Sequence, residues 1–496
     1  MKEHKSLNDI IKYRKEKLEI IKDYGHNPFA YNYKKTHLIK DVITKKEEIN
    51  NQDTISIAGR IISFRKMGKA SFLHIQDISG KIQLYVKNDL LPANIYDQIV
   101  RNLDLGDIIG CEGNIFITKV GELSIRVNNL FILSKNLRPL PNLKEKEGEN
   151  FNSFEDKELR YRNRHLDLIA NPDTKNIFIK RAKIISSIRQ YMDGNEYIEV
   201  ETPVLQPIYG GASARPFKTF HNTLDETLYL RIADELYLKR LIIGGFEKVY
   251  ELAKDFRNEG MDRSHNPEFT MLEFYQAYVD VYYMMDYTEN LLKHIANVIN
   301  EDQFIINGAE INLSKPFERI SMSDLFKKYL DINIIDKSTK ELIQFAKTKK
   351  IDVRSLNNYG QALDKIFGDL IEPKLIKPTF VYDYPKAISP LAKSLRSGEE
   401  NIVERFELFI GGMEFANSFS ELNDPIEQRN RLEEQMQLNR EGDEEAHVLD
   451  ENFLQAMESG MPPTGGVGIG IDRLVMLFTN QNSIKDVILF PAMRKE

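Results

Sequence analysis

The spacing of apolar and polar residues divides the chain into an N-terminal helix, a run of short strands and a long mixed segment. Over residues 6–24 apolar residues recur at helical spacing, which predicts an amphipathic helix. Its outer side carries Lys12, Lys15 and Lys22. These lysines fit a solvated helix face, and a basic arm against an RNA backbone is the sharper alternative.

From about residue 54 to residue 134 the pattern changes to short β runs separated by turn residues. The five runs span 55–62, 71–76, 81–86, 107–117 and 121–133. Five strands in roughly 80 residues are typical of a small closed barrel of the OB type, which binds oligonucleotides on one face, although other small β folds stay open. The polar stretch 138–149 predicts a linker.

Residues 151–496 read as one long α/β segment. A long amphipathic helix over 177–192 precedes a strand-like run, 197–204. Further strands are predicted at 229–230, 248–251 and 269–275, and helical segments over 280–300 and 321–375.

Composition narrows the class of protein. The 496 residues allow two or three domains of about 100–200 residues each. The net charge of -7 argues against a wholly basic nucleic-acid coat protein, although a local basic face is enough for RNA binding. Cys111 is the single cysteine, which excludes an intramolecular disulfide and a cysteine-rich zinc site. Without a signal-like start or an apolar run near ~20 residues, we expect a cytoplasmic setting and no membrane partner.

The first chemically informative stretch, 255–275, predicts a β–turn–β unit. Arg257 ends the first strand, and a period of two places Phe269, Glu273 and Tyr275 on one face of the return strand. A carboxylate and a phenol among apolar residues indicate a lined pocket. Taken alone, the stretch fits a hairpin of salt-bridged charges better.

The second stretch, 405–421, predicts another hairpin if its Gly-Gly pair forms the turn. On the return strand Glu414 should face opposite to Asn417 and Glu421 unless a bulge intervenes. Oxygen-only groups such as Glu407 and Glu414 suit Mg²⁺ that carries a nucleotide's phosphates. Two glutamates seven residues apart are a weak metal signal on their own.

The third stretch, 465–473, alternates glycine with apolar residues before a helix. Such a strand has no side chains on one face, so a flat ring can lie against it, and a plain packing strand is the alternative. Asp472 is placed to cap the helix, and Arg473 with the helix end favours a bound phosphate. The stretch is neither a dinucleotide fingerprint nor a Walker A loop.

Together these stretches resemble the signature motifs of the class II aminoacyl-tRNA synthetases. Residues 199–203 resemble the dimer-forming motif 1, residues 256–269 motif 2 and residues 468–473 motif 3. An N-terminal OB barrel is typical of the subgroup that charges aspartate, asparagine and lysine. Similarity to bacterial and eukaryotic lysyl-tRNA synthetases covers nearly the whole chain, with departures at Met413 and Ala416. It is carried by 210–217, 235–240, 417–421 and 486–494.

The resemblance implies an α+β fold. A five-stranded OB β-barrel would be followed by a catalytic domain with an antiparallel β-sheet flanked by helices. The implied limits are 1–50 for an N-terminal helical extension, 51–140 for the OB-fold anticodon-binding domain, 141–160 for a linker and 161–496 for the catalytic domain. The implied activity is ATP-dependent activation of L-lysine and its transfer to the 3′-terminal ribose of tRNA(Lys), by a homodimer that uses Mg²⁺.

Three sets of site residues are carried over by position. The ATP set is Arg257, Glu259, His265, Asn266, Phe269, Glu407, Glu414 and Arg473, in which the two arginines are catalytic and Glu407 and Glu414 hold Mg²⁺. The lysine set is Gly211, Glu235, Glu273, Tyr275, Asn417, Phe419 and Glu421. The anticodon set is Arg65, Phe72, Gln83 and Glu122.

Charge supports lysine as the substrate, because a buried ammonium needs anionic or oxygen partners. Glu235, Glu421 and Tyr275 would supply them at the far end of the pocket, and Glu273 suits the α-amino group. An aspartyl- or asparaginyl-tRNA synthetase is the nearest alternative, and an aspartate enzyme would need cations there. A paralogue that lysylates a protein would lack the barrel. A non-catalytic nucleic-acid-binding relative would have lost Arg257, Glu414 or Arg473, and all three are present.

Overall fold

The computed structural model describes residues 6–50, 52–141, 143–146, 149–152, 154–306, 308–354, 356–399, 401–440 and 447–495. Residues 1–5 of the predicted extension and residues 142, 147, 148 and 153 of the predicted linker lie outside the described residues. The chain forms two compact units, residues 1–171 and 172–496. The four domain limits given above stay a prediction.

The first unit contains five α-helices, two short 3-10 helices (Asn88–Leu90 and Val100–Asn102) and seven strands among its described residues. They are α1 (Leu7–Asp23), α2 (Ile39–Thr44), β1 (Ile55–Met67), β2 (Ala70–Gln76), β3 (Lys81–Lys87), α3 (Ile95–Gln98), β4 (Ile108–Ile117), β5 (Leu123–Ser134), β6 (Leu143–Lys146), β7 (Glu149–Asn152), α4 (Lys157–Arg162) and α5 (Arg164–Ala170). The first five strands close into a barrel in the order β1-β2-β3-β5-β4, which confirms the predicted barrel. The predicted linker contains a short hairpin, β6–β7.

Alternation along the barrel strands separates a core from an outer face. On β2, Leu73 and Ile75 are buried inside the barrel, while Phe72 and His74 are half-buried on the other face. The predicted N-terminal helix is confirmed as α1, which begins with a capping box between Ser6 and Asp9. The barrel therefore keeps one face of β2 and its neighbours available for a ligand.

The second unit contains the remaining elements. They are α6 (Pro172–Gly194), β8 (Ile198–Glu199), β9 (Leu205–Gln206), β10 (Lys218–His221), β11 (Glu226–Leu230), α7 (Glu235–Ile243), β12 (Lys248–Phe256), β13 (Glu268–Ala277), α8 (Val281–Ile299), β14 (Gln303–Ile306), β15 (Ala309–Asn312), β16 (Glu318–Ser321), α9 (Met322–Leu330), α10 (Thr339–Thr348), α11 (Tyr359–Leu370), β17 (Thr379–Pro385), β18 (Ile402–Ile410), β19 (Met413–Ser420), α12 (Pro425–Arg440), α13 (Glu451–Glu458), β20 (Thr464–Gly470), α14 (Ile471–Thr479) and α15 (Ile484–Val487).

An eight-stranded sheet in the order β16-β17-β18-β19-β20-β13-β12-β8 organises this unit. The predicted α+β fold with a sheet flanked by helices is confirmed. The pairs from β17 to β12 are antiparallel, whereas the two outer pairs, β16–β17 and β12–β8, are parallel, so the sheet is mixed. Helices α6, α8 and α14 cover it with a continuous apolar core. Within the described part of the chain, no helix combines the length and apolar character that a membrane crossing requires.

The predicted strand 197–204 is mostly wrong. Only Ile198–Glu199 forms a strand, and it pairs with β12 at the edge of the sheet. Beyond it, the backbone N–H of Thr202 donates to the Glu251 carboxylate at 3.1 Å, and Pro203 has no N–H to donate. The ladder therefore ends after two residues.

Candidate active site

A cavity of about 350 Å³ opens on the β13–β20–β19 face of the second unit. Every predicted ATP- and lysine-site residue lines it except Glu407. The three separate sequence stretches therefore meet in one site.

The register of the sheet explains why these residues meet. Paired residues on neighbouring strands project to the same face, so they form rows across the sheet. One row is Tyr275, Gly466, Phe419 and Arg405, and the next is Glu273, Gly468, Asn417 and Glu407. The glycine strand thus lies between two strands that carry pocket side chains.

Gly466 makes room for the pocket's own side chains. A Cβ atom at this position would lie 2.2 Å from Oε1 of Glu421 and 2.3 Å from Cε1 of Tyr275. The expectation that a flat ring lies against the glycine strand therefore fails at Gly466, where protein atoms fill the space. At Gly470 the nearest atom would be 3.9 Å away, which leaves that end of the strand more open.

A β-bulge redirects Glu414. Leu408 pairs with Ala416 but Phe409 pairs with Glu414, so Phe415 is an extra residue on β19. A regular strand would have pointed Glu414 away from Asn417, as the sequence predicted in the absence of a bulge. With the bulge, Glu414 lines the same cavity.

One end of the cavity is cationic. The Arg257 guanidinium lies 5.0 Å from the centre of the Phe269 ring. Arg473 donates from Nη1 to the backbone carbonyl of Glu414 at 2.8 Å, and its Nη2 lies 3.2 Å from Nε2 of His265. These groups converge where an anionic ligand would be neutralised.

At this end the predicted helix cap is wrong, and the Asn266 side chain has a partner within the protein. Asp472 does not cap α14, whose N-cap is Gly470; it is buried and accepts hydrogen bonds from Arg181 Nη1 and Thr270 N, both at 2.6 Å. The reason is position, since Asp472 lies inside the first turn and faces the neighbouring elements. The Asn266 side chain donates to the backbone carbonyl of Glu268 at 2.6 Å, so its amide fixes the motif 2 loop.

Glu407 lies beneath the cavity. Its carboxylate accepts hydrogen bonds from Arg405 and, at 2.8 Å, from the Tyr384 hydroxyl. Burial raises the pKa of Glu407 to about 7, although Arg405 opposes the shift. Sequence reasoning assigned no role to Arg405, which also donates to Asn417 Oδ1 at 3.0 Å and orders this part of the lining.

The closed end of the cavity holds a buried ion triad. Lys239 Nζ lies 2.5 Å from Glu235 Oε1 and 2.5 Å from Glu421 Oε2. Burial raises the pKa of Glu421 to about 8, against the opposing effect of Lys239. Burial also lowers the pKa of His447, another lining residue, to about 4. Both glutamates were predicted from the sequence but Lys239 was missed, although its position four residues after Glu235 is a readable signal.

A second carboxylate cluster lies behind Glu273. Oxygens of Asp234, Asp255 and Glu273 lie within 4.8 Å of one another, and all three side chains are buried. No hydrogen-bond donor reaches the carboxylates of Asp234 and Asp255 among the described residues. The nearest ion-pair partner is Arg231, whose Nε lies 3.4 Å from Asp255 Oδ1.

This cluster favours bound protons. Burial raises the pKa of Asp255 to about 6, although Arg257 and Arg231 oppose the shift. Burial also raises the pKa values of Asp234 and Glu273 well above their ordinary range, and the neighbouring carboxylates add to the effect. Nothing in the local sequence marks Asp234 or Asp255 as partners, because Asp234 precedes α7 while Asp255 lies on β12 and Glu273 on β13.

The predicted anticodon residues share one face of the barrel in the first unit. Arg65, Phe72 and Tyr85 form a row across β1, β2 and β3, and the rings of Phe72 and Tyr85 are 5.1 Å apart. In the next row, the Gln83 amide donates to the Glu122 carboxylate at 2.7 Å. Sequence reasoning missed Tyr85, which extends the aromatic surface.

Comparison with known proteins defines the class. Residues 156–494 match the family model described as tRNA synthetases class II (D, K and N). Residues 55–133 match the model described as an OB-fold nucleic acid binding domain. The first match covers more than half of the chain, which therefore belongs to the class II tRNA synthetase family.

Within this family the chain is similar to proteins named lysine–tRNA ligase. The protein from Carboxydothermus hydrogenoformans is 48% identical over 496 residues, 99% of either chain. That from Azobacteroides pseudotrichonymphae is 48% identical, with 98% of each chain covered. That from Christiangramia forsetii is also 48% identical, over 97% of this chain and 86% of the relative.

Proposed function

We propose that the chain is a lysine–tRNA ligase that activates L-lysine with ATP and transfers it to the 3′-terminal ribose of tRNA(Lys) in translation. The observation that carries the choice of amino acid is the pair of buried carboxylates, Glu235 and Glu421, at the closed end of the cavity. A buried ammonium is stabilised there, whereas a carboxylate or an amide is not.

In the first step a carboxylate oxygen of lysine attacks the α-phosphorus of ATP. A new P–O bond forms, the bond to the bridging oxygen breaks, and pyrophosphate leaves with its electron pair. The nucleophile is already an anion, so no general base is needed. Arg257 would neutralise the α-phosphate and the lysine carboxylate, and Arg473, beside His265, would neutralise the γ-phosphate.

The nucleotide's base would occupy the space beside motif 2. Phe269 offers a ring face that Arg257 already covers from one side, so adenine would stack within this cationic and aromatic layer. Glu259 also lines the cavity and supplies acceptor oxygens for the adenine amino group. The backbone around Asn266 would complete this contact.

The donor set fits Mg²⁺. Glu414 lines the cavity with 39% of its side chain exposed, and Glu407 lies close enough that Glu414 raises its pKa. Both offer carboxylate oxygens, the ligands that Mg²⁺ prefers. Bound there, Mg²⁺ would neutralise charge on the ATP phosphates. Arg473, which contacts Glu414 Oε2 at 3.2 Å, would hold that carboxylate in place.

The amino acid would span the two acidic ends. Its α-ammonium would lie beside Glu273, whose carboxylate accepts a hydrogen bond from the Tyr275 hydroxyl at 3.1 Å. Gly211 lies beside Glu235 and permits the substrate to approach closely at that point. Its φ of 87° suits glycine, and a Cβ would lie 3.0 Å from Glu235 Cβ. Asn417 and Phe419 would flank the aliphatic part of the side chain.

In the second step a hydroxyl of the terminal ribose attacks the lysyl carbonyl carbon, the bond from that carbon to the phosphate oxygen breaks, and AMP leaves while its phosphate takes up the hydroxyl proton. The tRNA would be held by the barrel face that carries Arg65, Phe72, Gln83 and Glu122. Phe72 and Tyr85 supply stacking surface, and the Gln83–Glu122 pair supplies edge hydrogen bonds.

We further propose a C2 homodimer in the cytoplasm. Residues 199–203 begin at the last residue of β8, the edge strand of the large sheet, and Ile198 and Leu205 have exposed apolar side chains. An edge strand with apolar neighbours suits an isologous contact. The proposed substrates, tRNA and ATP, place the enzyme in the compartment of translation.

Two assays test this function. Lysine-dependent exchange of pyrophosphate into ATP measures the first step, and charging of total tRNA with each amino acid in turn measures the second. We expect exchange with lysine and charging of tRNA(Lys) alone. Charging of tRNA with aspartate or asparagine would show that lysine is the wrong amino-acid substrate. Exchange with lysine but without any tRNA charging would favour a paralogue that lysylates another acceptor.

A further inference from the structure

Lys239 is a buried charged residue at the closed end of the cavity, and the proposed recognition of lysine by Glu235 and Glu421 gives it no role. It lies one helical turn after Glu235 on α7 and bridges Glu235 to Glu421, which follows β19. The exposed fractions of the Lys239 and Glu421 side chains are both 1%. Glu235 and Glu421 line the cavity, and Lys239 contacts them from behind.

The charges of this triad sum to -1 when all three groups are ionised. Two lining neighbours, Tyr275 and His447, stay uncharged, because burial raises the pKa of the phenol and lowers that of the imidazole. A buried charge without a partner is opposed by desolvation. The closed end therefore has a place for one further positive charge.

We propose that Lys239 is a positioning and specificity-determining residue, which fixes both glutamates and sets the closed end of the cavity to accept one cationic side chain. This inference rests on the proposed function. A neutral side chain of lysine's length would leave the triad's net charge unpaired. Removal of Lys239 would make the two carboxylates share a proton where the ammonium now lies.

A purely structural ion pair is the alternative. The chain offers a matched example in Lys293, which lies 2.6 Å from Glu289 at the same i,i+4 spacing on α8, outside the cavity. That lysine contacts one carboxylate and keeps 27% of its side chain exposed. Lys293→Met is therefore the control for Lys239→Met.

The decisive comparison is between Glu421→Gln and the double variant Lys239→Met/Glu421→Gln. The single variant leaves Glu235 and Lys239, with a net charge of zero, so substrate lysine would bring an unpaired positive charge. The double variant restores a net charge of -1. We expect its KM for lysine, measured by ATP–pyrophosphate exchange, to be about fivefold lower than that of Glu421→Gln, with the KM for ATP unchanged.

A structural role predicts the reverse order, because a second lesion then adds to the first. An equal or higher KM for lysine in the double variant overturns the proposal. This test does not require the single variant Lys239→Met to fold, because it compares Glu421→Gln with the double variant. If wild-type enzyme shows no lysine-dependent exchange, the proposed function itself fails, and that result is distinct from a double variant that is simply no better.

The pH profile gives a second readout. In Lys239→Met, loss of the neighbouring ammonium raises the pKa of Glu421 further, so the pH at which the KM for lysine levels off should rise by about one unit or more. Lys293→Met should keep the wild-type profile. An unshifted profile in a folded Lys239→Met enzyme also overturns the proposal.

Discussion

The two ends of the amino-acid pocket carry the same kind of side chain in opposite electrostatic settings. At the closed end, Lys239 bridges Glu235 and Glu421. At the other end, Glu273 stands in front of Asp234 and Asp255, and the nearest cation, Arg231, lies closer to another carboxylate, that of Glu251, at 2.7 Å. The closed end therefore has a cation between its two carboxylates, whereas the other end has a surplus of carboxylates that favours bound protons.

This difference assigns separate tasks to the two ends: the closed end discriminates among amino acid side chains, and the other end binds the α-ammonium. An ion-paired end responds sharply when one charge is removed, because the remaining charges are left unpaired. An end with surplus carboxylates tolerates the loss of one of them, since repulsion among like charges falls. Discrimination among amino acids should therefore reside at the closed end, and the α-ammonium end should serve every amino acid equally.

The largest effect is expected from Glu421→Gln. It removes half of the carboxylate pair at the closed end, so the KM for lysine should rise about 100-fold, which corresponds to roughly 3 kcal/mol. The KM for ATP should change by less than about twofold, since the phosphate end is untouched. Steady-state exchange kinetics measure both constants. An equal rise in the KM for lysine and the KM for ATP would contradict the assignment of Glu421 to the lysine side chain.

The next effect is a pH dependence of lysine binding. Below its pKa of about 8, burial favours a proton on Glu421 in the free enzyme, whereas substrate ammonium would bind the ionised form. The KM for lysine should therefore fall about tenfold per pH unit from pH 6 and level off above about 8. The titratable groups that face Glu421 are Lys239, Glu235 and Tyr275.

Glu421→Gln provides the control for this titration. The variant lacks the titrating carboxylate, so its lysine KM should be nearly flat over the same pH range. A wild-type KM that does not vary between pH 6 and 8 would show that Glu421 is ionised before lysine binds.

The smallest effect on catalysis is expected from Asp234→Asn at the other end. The KM for lysine should change by less than about threefold, while the free energy of unfolding of the catalytic unit should rise by about 1–3 kcal/mol near pH 8. Urea titration followed at several pH values measures the second quantity. The exposed Asp225→Asn is the matched control and should change neither quantity.

The pH dependence of that stability has a defined sign. Burial raises the folded-state pKa of Asp234, so the folded protein keeps a proton that the unfolded chain releases near its ordinary pKa. Stability from this proton is present below the ordinary pKa and is lost as the pH rises through the folded-state pKa. The advantage of Asp234→Asn should therefore grow from pH 5 to pH 8, and a constant difference would count against the cluster as a buried proton holder.

Sequence patterns reached the parts of the site that depend on local periodicity. Period-two alternation placed Phe269, Glu273 and Tyr275 on one face, and the structure brings all three to the cavity. The position of Glu414 could not be predicted from alternation alone, because the bulge at Phe415 depends on the pairing of β18 with β19. No local rule shows such an insertion before the partner strand is known.

Contacts between elements account for the rest. Lys239 was visible as an i,i+4 partner of Glu235, but its contact with Glu421 depends on how α7 meets the end of β19. Asp234 precedes α7, Asp255 lies on β12 and Glu273 lies on β13, so the packing of three elements brings the carboxylates together. Asp472 follows a strand end, where the sequence predicts a helix cap, but its carboxylate accepts hydrogen bonds from Arg181 and Thr270 on other elements.

The most direct test of selection by charge at the closed end is ATP–pyrophosphate exchange by the wild-type enzyme with lysine and with norleucine, which keeps the aliphatic chain but lacks the ε-ammonium. A site built for a cation rejects the neutral analogue by about 10⁴-fold in kcat/KM, because its buried charge is left unpaired. We predict a ratio of this order. A ratio near 10, the value expected of a merely hydrophobic pocket, would contradict the account.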